Sequence, residues 1–302
     1  MKKIFIILFA IFLNTPAYAF PWNSYLTVSS QPINETGSGV TLINNFSIDF
    51  NELTLSNSKI IEEIDVYLKS NIYHRNVYMT ISGDNQIKNG EESLDISLTY
   101  NGNPITLNEE FKLLSYLEGD RDGGKIGTIK VKIDSVSPIQ LQGEYNINLK
   151  MKVKIYWKGQ DTQTFPITAT VPTVTVAGFT PTQSEVGVNK FLGAKVDFGD
   201  FEFDKKNRID KNLYIRSNCE ESFYISFDTD EMVHKDDNTY KIAMKYYWDG
   251  EAYSKDKEIK ALTGRDKGES PVGTLTFETQ TIDNSLISGE YRANVGVNIT
   301  VK

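Results

Sequence analysis

A chain of 302 residues is long enough for two domains of ordinary size, and its single cysteine, Cys219, excludes an internal disulfide. Its 40 acidic residues outnumber 32 basic ones, an excess spread along the chain that argues against nucleic acid as the main partner. Short alternating runs rich in Thr, Ile, Val, Tyr and Phe, set between Gly, Asn and Asp clusters and with no sustained helical period, point to an all-β fold.

Residues 1–19, MKKIFIILFAIFLNTPAYA, join a basic start at Lys2-Lys3 to an apolar stretch from Ile4 to Leu13 and a small-x-small ending at Ala17-Tyr18-Ala19. That is the pattern of a secretory signal peptide cleaved before Phe20. The apolar run is too short to span a membrane, and no other stretch approaches the ~18 apolar residues a spanning helix needs. Export without direct membrane insertion is the expectation. Taking Lys2 and Lys3 from the 32 basic residues leaves 30 against 40 acidic ones, a net charge of −10. Cys219 is then expected to be a buried, unreactive thiol.

The alternating runs recur in the same order twice. LTVSSQP (26–32) is matched by VTVAGFTP (174–181), and IDF (48–50) by VDF (196–198), both 148 residues on. IDVYLKSN (64–71) is matched by KNLYIRSN (211–218), VYMTISGDN (77–85) by FYISFDTDE (223–231), and DISLTYNG (95–102) by KIAMKYYWDG (241–250). GTIKVKID (127–134) pairs with GTLTFETQ (273–280), and GEYNINLKMKV (143–153) with GEYRANVGVNI (289–299), mostly at an offset of 146. Each half reads as the same Ig-like β-sandwich. The expected organisation is a signal peptide over 1–19, a first sandwich over 20–172 and a second over 173–302.

The halves differ at their ends. Lys302 corresponds to Tyr156, after which the first half continues WKGQDTQTFPITATVPT. There Phe165, Ile167, Ala169 and Val171 alternate with Thr164, Pro166, Thr168 and Thr170, KGQDTQ reads as a turn, and Pro166 and Pro172 suit an edge strand. Burying those four apolar side chains contributes on the order of 5–10 kcal/mol, comparable with a whole domain's ~5–15 kcal/mol. The second half is therefore expected to be incomplete. In ISGEYRANVGVNITVK the residues Tyr291, Ala293, Val295, Val297, Ile299 and Val301 would line an open groove that takes a strand from another chain.

An exported Ig-like domain without its last strand resembles a subunit of a chaperone–usher fimbria, and SGEYRANVGVNITV is similar to the closing strand of such pilins. That resemblance implies donor-strand complementation, by a periplasmic chaperone first and then by a shaft pilin delivered at an outer-membrane usher. Many pilins of this family carry a disulfide, and this chain departs from them there. With YLTVSSQ taken as the first strand, only residues 20–24 precede it, too few to donate. The chain is thus similar to the two-domain tip adhesins, in which the first domain binds a host-surface receptor, a glycan by expectation, and the protein ends at the cell surface.

Receptor-binding candidates come from differences between the halves. Lys150, Lys152 and Lys154 face Gly296, Asn298 and Thr300 in the match, and Lys130 and Lys132 face Thr276 and Glu278. A row of ammonium groups ~7 Å apart suits sialylated or sulfated glycans; exposed strands also carry lysines merely against edge pairing. Arg75 and His74, beside Tyr73 and Tyr78 in NIYHRNVY, are replaced by NCEESFY; an arginine fork near aromatics suits acidic sugars, and an ordinary turn is the plainer reading. Asp120 and Asp122 lack a loop-closing glutamate and read as a solvated turn, not a calcium site. No nucleophile–base pair, metal cluster or phosphate loop is evident, so neither enzyme activity nor a cofactor is expected. Rival readings are a structural minor or shaft pilin, which needs a mobile, donating segment from Phe20 to about Gln31, and a self-contained secreted glycan-binding protein with a closed second domain.

Overall fold

A computed structural model describes residues 24–34, 39–43, 46–55, 59–72, 75–115, 121–155 and 159–302. The signal peptide, Tyr73, His74 and Asp120 lie outside the described residues. In the first half the strands are β1 (Tyr25–Ser29), β2 (Gly39–Ile43), β3 (Ile48–Glu52), β4 (Ile60–Ser70), β5 (Val77–Ser82), β6 (Gln86–Asn89), β7 (Glu92–Tyr100), β8 (Asn103–Ile105), β9 (Glu110–Leu114), β10 (Arg121–Ile133), β11 (Gly143–Ile155) and β12 (Gly159–Val171). In the second they are β13 (Thr175–Gly178), β14 (Lys190–Phe191), β15 (Arg208–Ser217), β16 (Ser222–Phe227), β17 (Glu231–His234), β18 (Lys241–Trp248), β19 (Glu251–Tyr253), β20 (Ile259–Thr263), β21 (Asp266–Thr279), β22 (Tyr291–Arg292) and β23 (Val297–Val301). Among the described residues there is no helix, and the fold is two tandem Ig-like β-sandwiches.

The first sandwich is one curled sheet in the order β2-β1-β4-β10-β7-β6-β11-β12-β3, with β5 and β9 continuing from β11. Alternation places Ile129, Val131 and Ile133 of β10 and Leu149, Met151 and Val153 of β11 in a single continuous core. The second sandwich repeats this register. Val77, Met79 and Ile81 of β5 face Ile155, Val153 and Met151; Phe223, Ile225 and Phe227 of β16 face Val301, Ile299 and Val297, all 146 residues on. Two matches shift. Leu26 pairs with Ser70 and Thr175 with Ser217, so the first strands correspond one residue beyond the offset of 148. The β7–β8 and β18–β19 hairpins turn at Asn101-Gly102 and Asp249-Gly250, all four with positive φ. These type I′ turns fix the seventh strand at 148 instead of 146.

Tyr145 Oη donates to Leu141 O at 2.9 Å, and Tyr291 Oη to Ile287 O at 3.1 Å, the corner that pins this strand in Ig-like folds. Two residues earlier, Gly143 (φ 122°) and Gly289 (φ 150°) sit where only glycine is at ease. A Cβ on Gly289 would meet His234 Nε2 at 2.0 Å.

Asn218, wholly buried, joins the halves. Its Nδ2 donates to Gln140 O (3.1 Å) and Pro172 O (2.7 Å), and its Oδ1 accepts from Val174 N (2.8 Å). Arg265 reaches across as well, to Glu92 at 2.7 Å and Ile139 O at 3.3 Å. Cys219 follows in the chain; burial pushes its thiol pKa up, away from thiolate chemistry.

Candidate functional site

In the first sandwich β12 runs antiparallel to β11 along its whole length, Phe165 opposite Leu149, Ile167 opposite Ile147 and Ala169 opposite Tyr145. On its other side β12 pairs in parallel with β3, Ile167 beside Ile48. This corrects the edge-strand expectation: β3 lies outside β12, and Pro166 falls just before the segment paired to it. Strand geometry also begins at Gly159, so most of KGQDTQ is strand rather than turn. Phe165, Ile167, Ala169 and Val171 are all buried.

The second sandwich keeps the segments that match β11 and β3, with an open groove of about 880 Å³ between them. One wall is Tyr291, Ala293, Val295 and Val297; the other is residues 193–201, including Val196 and Phe198, the match of Ile48 and Phe50 in β3. Phe179, Phe191, Phe227, Met232, Met244 and Phe277 also line it. Charged side chains line it in pairs, Lys195 with Asp197 at 2.8 Å and Arg292 with Glu290 at 2.7 Å, beside the aromatic and methionine side chains.

The gap has local consequences. Lys150–Ile155 of β11 are bonded to β5 and Asn146 to β6, so residues 147–149 have β12 as their only recorded strand partner. Among the described residues their equivalents, 293–295, have no such partner, and strand geometry lapses from 293 to 296 between β22 and β23. Asp228 holds the break instead, accepting from Gly296 N at 2.7 Å. The core is divided too: Met232, Ile242, Met244 and Ile282 form a cluster separate from that around Leu213, Ile225 and Phe277, with Phe198 and Val295 touching both. Tyr291, Ala293, Val295 and Val297 are half-buried, whereas of their matches Tyr145, Leu149 and Met151 are fully buried and Ile147 is half-buried. His234 closes one end; its Nδ1 accepts from the amides of Asp236 and Asp237, which puts the ring proton on Nε2 toward Ser288 O, and its ring meets Tyr291 edge-on at 5.1 Å.

Of the groove residues read from the sequence, 291–297 line it, while Ile299 and Val301 lie beyond its end, against β16. The opposite wall and the aromatic floor were not named. The match of IDF with VDF held that signal, since it marks the strand that flanks β12.

The lysines fall on two surfaces. Lys130 and Lys132 project from β10, bonded to β4 and β7; Lys150, Lys152 and Lys154 project from β11 in the other layer. Lys130 is paired with Glu63, Lys132 with Asp134 and Lys154 with Glu110. Arg75 is exposed. Among the described residues no group of three or more His, Cys, Asp or Glu is placed to hold a metal ion.

No family model matches this chain and no curated protein matches it. Solved structures do resemble it, fimbrial tip adhesins and pilins among them. The tip subunit CsuE of Acinetobacter baumannii, held with the chaperone CsuC in a pre-assembly complex, is 13% identical over 85% of this chain and 98% of that one, at TM-score 0.45. CfaE, the adhesive subunit of the CFA/I fimbria of enterotoxigenic Escherichia coli, is 13% identical over 86% and 93%, at 0.33. The CupB6 tip adhesin of Pseudomonas aeruginosa is 10% identical over 82% and 88%, at 0.38.

Proposed function

We propose that this chain is a fimbrial tip adhesin: domain 1, over residues 20–172, meets a host-surface receptor, and domain 2, over 173–302, accepts a strand from a neighbouring subunit. One observation carries the reading. β12 fills the space between β11 and β3, and the same space between 289–297 and 193–201 is an open groove with an aromatic and methionine floor. An apolar trough with unpaired backbone invites strand addition. A periplasmic chaperone would protect it in transit, and a shaft pilin would fill it at the usher. The terminal position is supported by β1, which pairs with β4 and β2 and buries Leu26 and Val28 in its own core, and so is not free to donate. A structural minor pilin is favoured by a different observation, the neutralisation of Lys130, Lys132 and Lys154 by acids.

The test is a graft. Because Lys302 corresponds to Tyr156, a second copy of residues 157–172 appended after Lys302 would fold back as β12 does, with the copies of Phe165, Ile167 and Ala169 opposite Val295, Ala293 and Tyr291. Periplasmic expression of the grafted chain should give soluble protein with two cooperative melting transitions, and the ungrafted chain far less. Equal yield and equal melting without the graft would mean that domain 2 needs no partner strand. Adhesion of beads coated with grafted protein to glycan arrays then separates adhesin from structural pilin.

A further inference from the structure

The groove is not a plain copy of the space that β12 fills, and the differences specify what fills it. Ile167 sits between Ile147 on β11 and Ile48 on β3. At the equivalent point those neighbours are Ala293 and Val196, three carbons smaller on one side and one on the other. The cluster that Ala293 packs against does not make this up: its Met232 and Met244 stand where β6 and β7 place Ile87 and Ile96, and methionine is close to isoleucine in size. The bulkier Phe227 and Phe277, which match Ile81 and Val131, belong to the other cluster. At the next inward position the balance is reversed. Tyr145, opposite Ala169, is retained as Tyr291. Leu53, whose amide donates to Thr170 O at 2.7 Å, is replaced in the match by the larger Phe201, which packs against the cluster touching Tyr291 and Ala293.

We infer that the donated strand runs antiparallel to 291–297 and carries an aromatic side chain opposite Ala293 and an alanine or glycine two residues later, opposite Tyr291. The inference rests on the strand-accepting reading above and names the partner's chemistry within it. Interiors hold close to crystal density, so a side chain that leaves the Ala293 pocket underfilled loses contacts, and one too large beside Tyr291 forces strain.

Three grafted chains test this, differing only in the appended strand: the parental copy, one with the copy of Ile167 changed to Phe, and one with the copy of Ala169 changed to Ile. The aromatic graft should raise the melting of domain 2 by about 3 °C or more over the parent, and the isoleucine graft should lower it by at least as much. Ile167→Phe in domain 1 itself, where Ile167 is fully buried between Ile147 and Ile48, should lower that domain's melting and serves as the internal control. An aromatic graft no more stable than the parent, or an isoleucine graft equal to it, overturns the inference while leaving strand addition intact. If no graft produces a second cooperative transition, strand addition fails and the inference falls with it.

Discussion

Truncating Phe165 should unfold domain 1 far more readily than truncating Val295, the match of its partner Leu149, affects domain 2. Phe165 is fully buried against an equally buried Leu149, so Phe165→Ala leaves a cavity that nearby strands cannot close, at about 3–5 kcal/mol. That is a large share of a domain's ~5–15 kcal/mol. At about 2–4 °C per kcal/mol for a domain near this size, the melting of domain 1 should fall by roughly 6–20 °C. On the groove wall, Val295 is only half-buried and has no strand beside it among the described residues. Val295→Ala in the ungrafted chain should cost ~1 kcal/mol or less, because little apolar area is returned to water. In the grafted chain the same change should cost clearly more. Calorimetry of the wild type and these variants reads all the differences. A Phe165→Ala cost under ~1 kcal/mol, or equal Val295→Ala costs with and without the graft, would refute the reasoning that β12 and the groove are filled and empty versions of one site.

Asn218→Ala removes the partners of the Gln140 and Pro172 carbonyls and the Val174 amide; with about 1–3 kcal/mol for a buried group left unsatisfied, the junction at 172–174 should open to limited proteolysis before either domain melts. Asp228 is held below the usual carboxylate range by the Thr229 hydroxyl and then by the Gly296 amide. A depressed folded pKa means its contribution is complete above the unfolded value of about 3.9 and lost as pH falls through the folded one. Asp228→Asn should therefore flatten the acid-side decline in domain 2 stability and leave its shape between pH 5 and 8 unchanged. Lys150→Glu with Lys152→Glu, which reverses two exposed-face charges without touching the core, should abolish binding of grafted protein to sialylated or sulfated glycans while melting stays within ~1 kcal/mol; retained binding would move the receptor face elsewhere.

Much of the fold was legible because period-2 alternation is locally encoded: GEYNINLKMKV is the strand its alternation predicts, and GEYRANVGVNI keeps the same register with strand geometry at 291–292 and from 297. The wall formed by 291–297 was legible as well, since a duplicated scaffold lets one half be read against the other. What could not be read locally were contacts made across the sheet. VDF carries the same pattern as IDF, yet Ile48–Glu52 is a strand and 196–198 is not, because a strand needs its neighbour. Pro166 suggested an edge, but the parallel pairing of β3 depends on residues more than a hundred positions away. The seven receptor candidates looked alike by sequence difference; only the layers separate Lys130 and Lys132 from Lys150, Lys152 and Lys154.

The most direct test is hydrogen exchange at the backbone amides of residues 293–295 in the purified mature chain, before and after addition of a synthetic peptide of residues 159–172. These amides should exchange as openly as a loop in the chain alone and slow by about a hundredfold or more with the peptide, each tenfold being 1.4 kcal/mol. Strong protection without the peptide would mean that the groove is already closed by the chain itself, and strand acceptance would be contradicted.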